Sequence, residues 1–156
     1  MNIEIFSIEY DKKHVLQNLM EKYDHDMSEW SRADVNDAGL YGYRYLDHYW
    51  TDDHRFPYFV TADGSYAGFA LVRFDREQSR WEIAEFFVLR KYRKAGIGSR
   101  LMAYVFAQHC GDWMISTHVN NPNTRGMVRK AIRAVATGDI TEQIVEDNVE
   151  WTFANQ

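Results

Sequence analysis

The stretch FFVLRKYRKAGIGSRL, residues 86–101, changes character twice. An apolar run gives way to Arg90, Lys91, Arg93 and Lys94, and then Gly96 and Gly98 flank Ile97 before a helical pattern resumes. A strand that enters a glycine turn and opens a helix aims several backbone N–H groups, and the positive end of the helix dipole, at one spot. Anions bind at such spots. The two glycines remove Cβ atoms that would hold a pyrophosphate off the backbone, and Arg93 and Lys94 add mobile charge beside them.

Two familiar phosphate sites do not fit. No Gly-Lys-Ser/Thr ends the turn, which excludes a P-loop. Gly96-Ile97-Gly98-Ser99-Arg100 is followed by Leu101, where a dinucleotide fingerprint needs a third glycine or alanine to seat helix on strand.

Working outward, Ile97, Leu101, Met102, Val105 and Phe106 recur at helical spacing, and WMISTHV, residues 113–119, reads as a strand. Asn121 before Pro122 reads as an N-cap with proline in the first turn, opening a helix through Val128, Ile132 and Val135 that Gly138 can end. TEQIVED and VEWTFA close the chain as two strands. Upstream, PYFVTA, YAGFALVRF and RWEIAEFFVL are three strands of an antiparallel meander, the first two joined at Asp63-Gly64, a strong hairpin signal. Ile3, Ile5 and Ile8 suggest a first strand, and Val15, Leu16, Leu19, Met20 and Tyr23 a helix that Asp11 can cap. From there to about Arg55 the chain reads as loop plus a short helix around residues 45–50. The expectation is one domain over residues 1–156, of mixed α/β (α+β) class, with about four helices on one mostly antiparallel sheet of about seven strands.

The chain has 156 residues, 46% of them hydrophobic, enough for one core. A lone cysteine, Cys110, cannot form an intrachain disulfide, and no Cys/His spacing suggests a metal site, which fits a reducing cytoplasm. No apolar run approaches the ~20 residues that span a bilayer, so no membrane association is expected. A formal charge of −5 argues against nonspecific nucleic-acid binding. Its distribution is uneven: residues 21–53 hold nine acids against three bases, whereas residues 86–109 hold five bases and no acid. That polarity suggests one cationic and one anionic ligand, or simply two solvated faces.

Arg93-Lys94-Ala95-Gly96-Ile97-Gly98, after EFFVLRKYR, resembles the Arg/Gln-x-x-Gly-x-Gly/Ala motif of the GNAT superfamily of acetyl-coenzyme A dependent N-acetyltransferases and its apolar lead-in. The predicted element order matches that fold from end to end. The resemblance implies that the turn of Arg93, Lys94, Ala95, Gly96, Ile97, Gly98 and Ser99 holds the pyrophosphate. It also implies that the backbone of Phe86, Phe87 and Val88 lies along the pantetheine arm and acetyl group, and that Asn121 contacts the coenzyme, a role that sits beside simple helix capping. Acyl transfer to an amine needs a base. The resemblance places one on the strand before the turn, so Glu82 or Glu85 is the candidate, and their odd spacing predicts opposite faces. Many relatives carry a tyrosine acid seven residues after the asparagine, where this chain has Val128, with Thr124 and Met127 replacing the alanine and aromatic usual nearby. The resemblance also puts the acceptor beside the first two helices. There Tyr23, Asp24, Asp26 and Trp30 could hold a cationic amine, unless the aromatics fill a helical layer and the acids face water. The implied activity is acetyl transfer from acetyl-coenzyme A to a primary amine of a small molecule by direct attack in a ternary complex. A peptide or protein amine, and a coenzyme-binding regulatory module without turnover, are the alternatives. Relatives often pair as homodimers, though no stretch here marks an interface.

Overall fold

The computed structural model describes residues 1–156, apart from the side chain of Asn123. One seven-stranded sheet organises the chain. Its strands are β1 (Ile3–Ser7), β2 (Arg55–Ala62), β3 (Ser65–Asp75), β4 (Arg80–Val88), β5 (Gly111–His118), β6 (Thr141–Val145) and β7 (Asn148–Asn155), in the spatial order β1-β2-β3-β4-β5-β7-β6. Every pairing is antiparallel except that of β4 with β5. The helices are α1 (Lys13–Ser31), α2 (His48–Thr51), α3 (Ile97–Gln108) and α4 (Pro122–Val135).

The meander forms as its turn chemistry predicts: Asp63 and Gly64 both take positive φ, as a two-residue hairpin turn demands. β2 and β3 are buried over most of their length, because helices cover both faces of the sheet. Phe59, Phe69, Leu71 and Phe87 pack under α1 and α2 with Leu16, Leu19, Met20 and Tyr49. On the other face Val60, Ala70, Val72, Trp113, Ile115 and Trp151 pack under α3 and α4 with Leu101, Val105, Phe106, Val128 and Ile132. At Gly68, a Cβ would stand 2.1 Å from the Phe87 carbonyl oxygen, so only glycine lets β3 approach β4 here.

Several local expectations change. A 3-10 turn at Tyr10–Lys12 leads into α1 without side-chain capping, so Asp11 is not the cap. Helix α1 runs to Ser31, which makes the acidic segment after Tyr23 helical rather than loop. The second helix is the single turn His48–Thr51. Asn121 does occupy the N-cap position of α4, yet makes no side-chain capping bond, and α4 stops at Val135, before Gly138. No helix among the described residues is long and apolar enough to cross a membrane.

Two irregularities shape the centre of the sheet. Leu71 pairs with Glu85 but Val72 pairs with Ile83, so Ala84 is the extra residue of a β-bulge. The parallel pairing of β4 with β5 is confined to Trp81↔Trp113 and Glu82↔Met114. Beyond these pairs the two strands diverge, and the sheet is split.

Candidate active site

The split opens toward the C-terminal ends of β4 and β5, where the glycine turn begins. The Leu89 N–H donates to the Ala67 carbonyl, 2.8 Å away on the β3 side. Strand alternation therefore turns the backbone groups of Phe86 and Val88 the other way, into the split.

After a 3-10 turn at Arg90–Tyr92, Lys94 and Gly96 take positive φ, and Gly96 caps α3 from the left-handed region at φ 79°. The first intrahelical bond of α3 joins Arg100 N–H to the Gly96 carbonyl, and no side chain caps the helix. The N–H groups of Ile97, Gly98 and Ser99 are thus left for another partner. A Cβ on Gly96 would have nothing within 4 Å, so this backbone is open to an approaching group. A cradle of free amides beside Lys94 fits a diphosphate, and coenzyme A carries one. At Gly98 the missing Cβ makes room for Met127 of α4, whose sulfur would lie 2.8 Å from it.

Arg93 also departs from expectation. It is held in place rather than free: its Nε donates to the Val88 carbonyl at 2.8 Å, its Nη2 to Asp26 Oδ2 at 2.6 Å, and its guanidinium lies over the Phe87 ring. Arg90 donates to the other Asp26 oxygen at 2.7 Å. Burial alone would raise the Asp26 pKa, but the hydrogen bonds from Arg93 and then Arg90 outweigh it and hold the carboxyl below its ordinary range. Part of the sequence's charge polarity is thereby satisfied within the chain. Asp26, expected beside an amine acceptor, engages these arginines.

The bulge at Ala84 overturns the predicted facing of the two glutamates. Glu82 stands opposite Arg73 and Glu85 opposite Leu71, two residues apart on β3, so both carboxylates face the α1 side. Their surroundings differ. Glu82 is buried with its oxygens bound to Arg73 at 2.7 Å and Arg80 at 3.2 Å. Glu85 makes no ion pair among the described residues. Burial pushes its pKa up to about 7, against the Tyr23 hydroxyl, which favours the charged form; nearby Asp24 raises it further, and Tyr43 again lowers it. Asp24 is itself raised to about 6, first by burial and then by Glu21. Tyr23 lies edge-on to Phe69 and Phe87, its hydroxyl held protonated by burial and by Glu85.

Trp30, the remaining acceptor-side residue, stacks on His118 at the end of β5, with ring centroids 5.6 Å apart. Tyr43 and Tyr49 stack on each other and pack with the α1 layer, as the structural alternative had it. Glu21 fixes the following loop by accepting the N–H groups of Tyr41 and Gly42 at 2.8 and 2.9 Å. Between α1, this loop and the end of β4 lies an open groove of about 630 Å³, lined in part by His25, Asp26, Leu40, Tyr41 and Phe87. Phe87 follows Glu85 by two residues on the same face, so groove and carboxylate adjoin. Val128 is fully buried, and among the described residues no group of His, Cys, Asp and Glu suits a metal ion.

Sequence reasoning missed the contacts that bring Tyr43, Arg90 and His118 to the site. Each meets the site only through residues distant in the chain, and no local pattern marks it.

The sequence profile of the Acetyltransferase (GNAT) family matches residues 16–131. The chain belongs to this family, and its class is that of an N-acetyltransferase using acetyl-coenzyme A. Among curated protein sequences nothing matches. Solved structures do. The PaiA N-acetyltransferase from Thermoplasma acidophilum, in complex with coenzyme A, is similar at TM-score 0.68 and 12% identity over 99% of both chains. The ribosomal-protein-S18-alanine N-acetyltransferase from Escherichia coli gives 0.65 and 11% over 99% of this chain and 95% of its own. AAC(6')-Iy, in complex with a bisubstrate analogue of coenzyme A and monomethyl-acetylneamine, gives 0.66 and 17% over 93% and 96%. The neighbours thus act on both protein and small-molecule amines.

Proposed function

We propose that this protein acetylates a primary amine of a small molecule by direct attack within a ternary complex, with Glu85 as the general base. One observation carries the reading: Glu85 is a largely buried carboxylate without an ion pair, beside the split of the sheet, with its pKa raised to about 7. That value suits a base working near neutral pH. Glu82 serves the site differently, as the anchor of Arg73 and Arg80.

The free amides of Ile97, Gly98 and Ser99, with Lys94, hold the diphosphate of the coenzyme, and Phe86 and Val88 offer backbone groups to its arm. Asn121, at the head of α4, stands on the other side of the split beyond β5. The bound coenzyme supplies an acetyl thioester. Glu85 removes a proton from the acceptor ammonium, directly or through water, and the freed amine attacks the acetyl carbonyl as the carbon–sulfur bond breaks. A backbone N–H aimed into the split supports the charge that develops on the carbonyl oxygen. Val128 offers no proton, so the second proton that the attacking nitrogen sheds passes through water to the departing thiolate.

Tyr23 and Asp24 lie beside Glu85 and line the acceptor's approach, and Trp30 bounds it near β5. A groove of about 630 Å³ suits a ligand of small-molecule size; on its wall Asp26 is taken up by Arg90 and Arg93, and Glu21 by the backbone of Tyr41 and Gly42. The test is thiol release from acetyl-coenzyme A over a panel of polyamines, amino sugars, amino-acid derivatives and peptides. We expect small cationic amines to be turned over, with kcat/KM rising through pH 7. In Glu85→Gln the limb near pH 7 should vanish and turnover fall about 100-fold or more. A preference for peptides would move the acceptor assignment, and an unaltered pH profile in Glu85→Gln would remove the base.

A further inference from the structure

Helix α1 closes the open end of the split sheet at two points. On the β4 side Asp26 takes Arg90 and Arg93 at 2.7 and 2.6 Å, and on the β5 side Trp30 stacks on His118. Asp26 and Trp30 are one helical turn apart and project from neighbouring positions on α1. Between the two lips, β4 and β5 share no backbone pairing beyond Glu82↔Met114. The helix does there what a ladder of hydrogen bonds does elsewhere in the sheet.

The β4 attachment reaches the coenzyme turn itself. Arg93 is the first residue of that turn, and its guanidinium joins three elements: the Val88 carbonyl at the lip of the split, the Phe87 ring, and Asp26 on α1. With its Nε and Nη2 so engaged on the α1 side, Arg93 acts as a strut, and the amides of α3 are left as the anion's partners. The Asp26 side chain is only 12% exposed, and each of its oxygens binds a different arginine. A charge-assisted fork of this kind fixes orientation as well as distance.

We propose that Asp26 is a positioning residue for the coenzyme: by holding Arg93 and Arg90 it sets the glycine turn in its binding geometry, and it couples the acceptor-side helix to coenzyme affinity. The proposal rests on the reading of residues 93–99 as the coenzyme site. It makes a counterintuitive prediction about sign. By simple electrostatics, removing a carboxylate near an anion site tightens anion binding. If Asp26 instead positions the turn, removing its charge weakens binding.

Calorimetric titration of coenzyme A into the wild type and Asp26→Asn decides between these. We expect Asp26→Asn to raise Kd and the KM for acetyl-coenzyme A about tenfold, within the usual range of coupling between sites, with kcat within about twofold. Asp26→Glu should recover part of the loss. Arg93→Gln should weaken binding by a similar factor, and the double variant should be no worse than either single one, as for two residues acting as one unit. Circular dichroism and thermal unfolding establish that each variant folds, and coenzyme titration of Arg93→Gln alone carries the test if Asp26→Asn does not. Unchanged or tighter binding in Asp26→Asn overturns the proposal, as do additive losses in the double variant. A wild type that binds no coenzyme A at millimolar concentration overturns the coenzyme site and this inference with it. A wild type that binds, alongside an Asp26→Asn variant that binds equally, overturns the inference alone.

Discussion

The two ends of the β4–β5 seam are held by different forces. At the closed end, Trp81 and Trp113 pair across the strands within an aromatic cluster that includes Phe56, Tyr58, Phe106 and His109. Its polar atoms are satisfied internally. The Trp113 indole donates to the His109 carbonyl at 3.1 Å and to Asn155, and Tyr58 hydrogen-bonds the buried His109 ring at 2.7 Å. At the open end Phe86, Val88, Val119 and Met127 are only partly buried. The lips are tied by the Asp26–Arg90–Arg93 fork and by the Trp30–His118 stack, contacts that lie partly in solvent. Apolar burial is non-directional and holds as long as water is excluded, which suits a fixed hinge. Polar contacts exchange readily for contacts with a ligand, which suits an edge where a charged molecule must enter.

The contrast can be broken at either end. The largest effect on stability is expected at the closed end: Trp113→Ala should cost about 4 kcal/mol, measured by urea unfolding, because Trp113 is 1% exposed and leaves a cavity between α3 and the sheet. Substitution of Trp30 at the open end should cost far less.

The two ends should also respond to pH with opposite sign. His109 is held neutral by burial, its pKa lowered from 6.5 to about 4. The unfolded chain therefore binds the extra proton between these values, and His109 makes stability rise with pH across that window. Glu85 is raised from 4.5 to about 7, so here the folded chain holds the extra proton, and stability falls as pH rises between those values. From pH 4.5 to 6.5 the two slopes oppose. In thermal unfolding, relative to the wild type, Glu85→Gln should tilt the profile toward a rising slope and His109→Gln toward a falling one, each by about 1 kcal/mol per pH unit at most, while Asp24, raised to about 6, adds a falling slope below pH 6 in both. Parallel shifts without a change of slope would remove the contrast.

The smallest effect sharpens the assignment of the glycines. Gly98→Ala brings a methyl against the Met127 sulfur and should cost about 1 kcal/mol in stability, with weaker coenzyme binding. Adding Met127→Ala should relieve much of it. Gly96→Ala should not be rescued this way, since its constraint is the positive φ of the turn.

Much of the fold was legible because its signals are local. The Asp63-Gly64 hairpin, the period of α3 and the strand-turn-helix at residues 86–101 each lie within a short window, and each formed as expected. The site was legible in part. The glycine turn and the strand carrying the base could be located, whereas the choice between Glu82 and Glu85 could not. Strand alternation predicted opposite faces, and the unpaired Ala84 reversed that by adding one residue to β4. No residue type at position 84 announces a bulge, since it answers to the register of β3.

The sequence by itself determined the order of the elements, the positive-φ turn that opens α3, and the chemistry that turn can offer to a phosphate, because these depend on periods and dihedral preferences within a few residues. Only the tertiary structure decided that Asp26 faces two arginines more than sixty residues away, that Glu85 is desolvated while Glu82 is ion-paired, and that β4 and β5 part where they do. Charge and burial are properties of what surrounds a side chain, and those surroundings exist only once distant segments have packed.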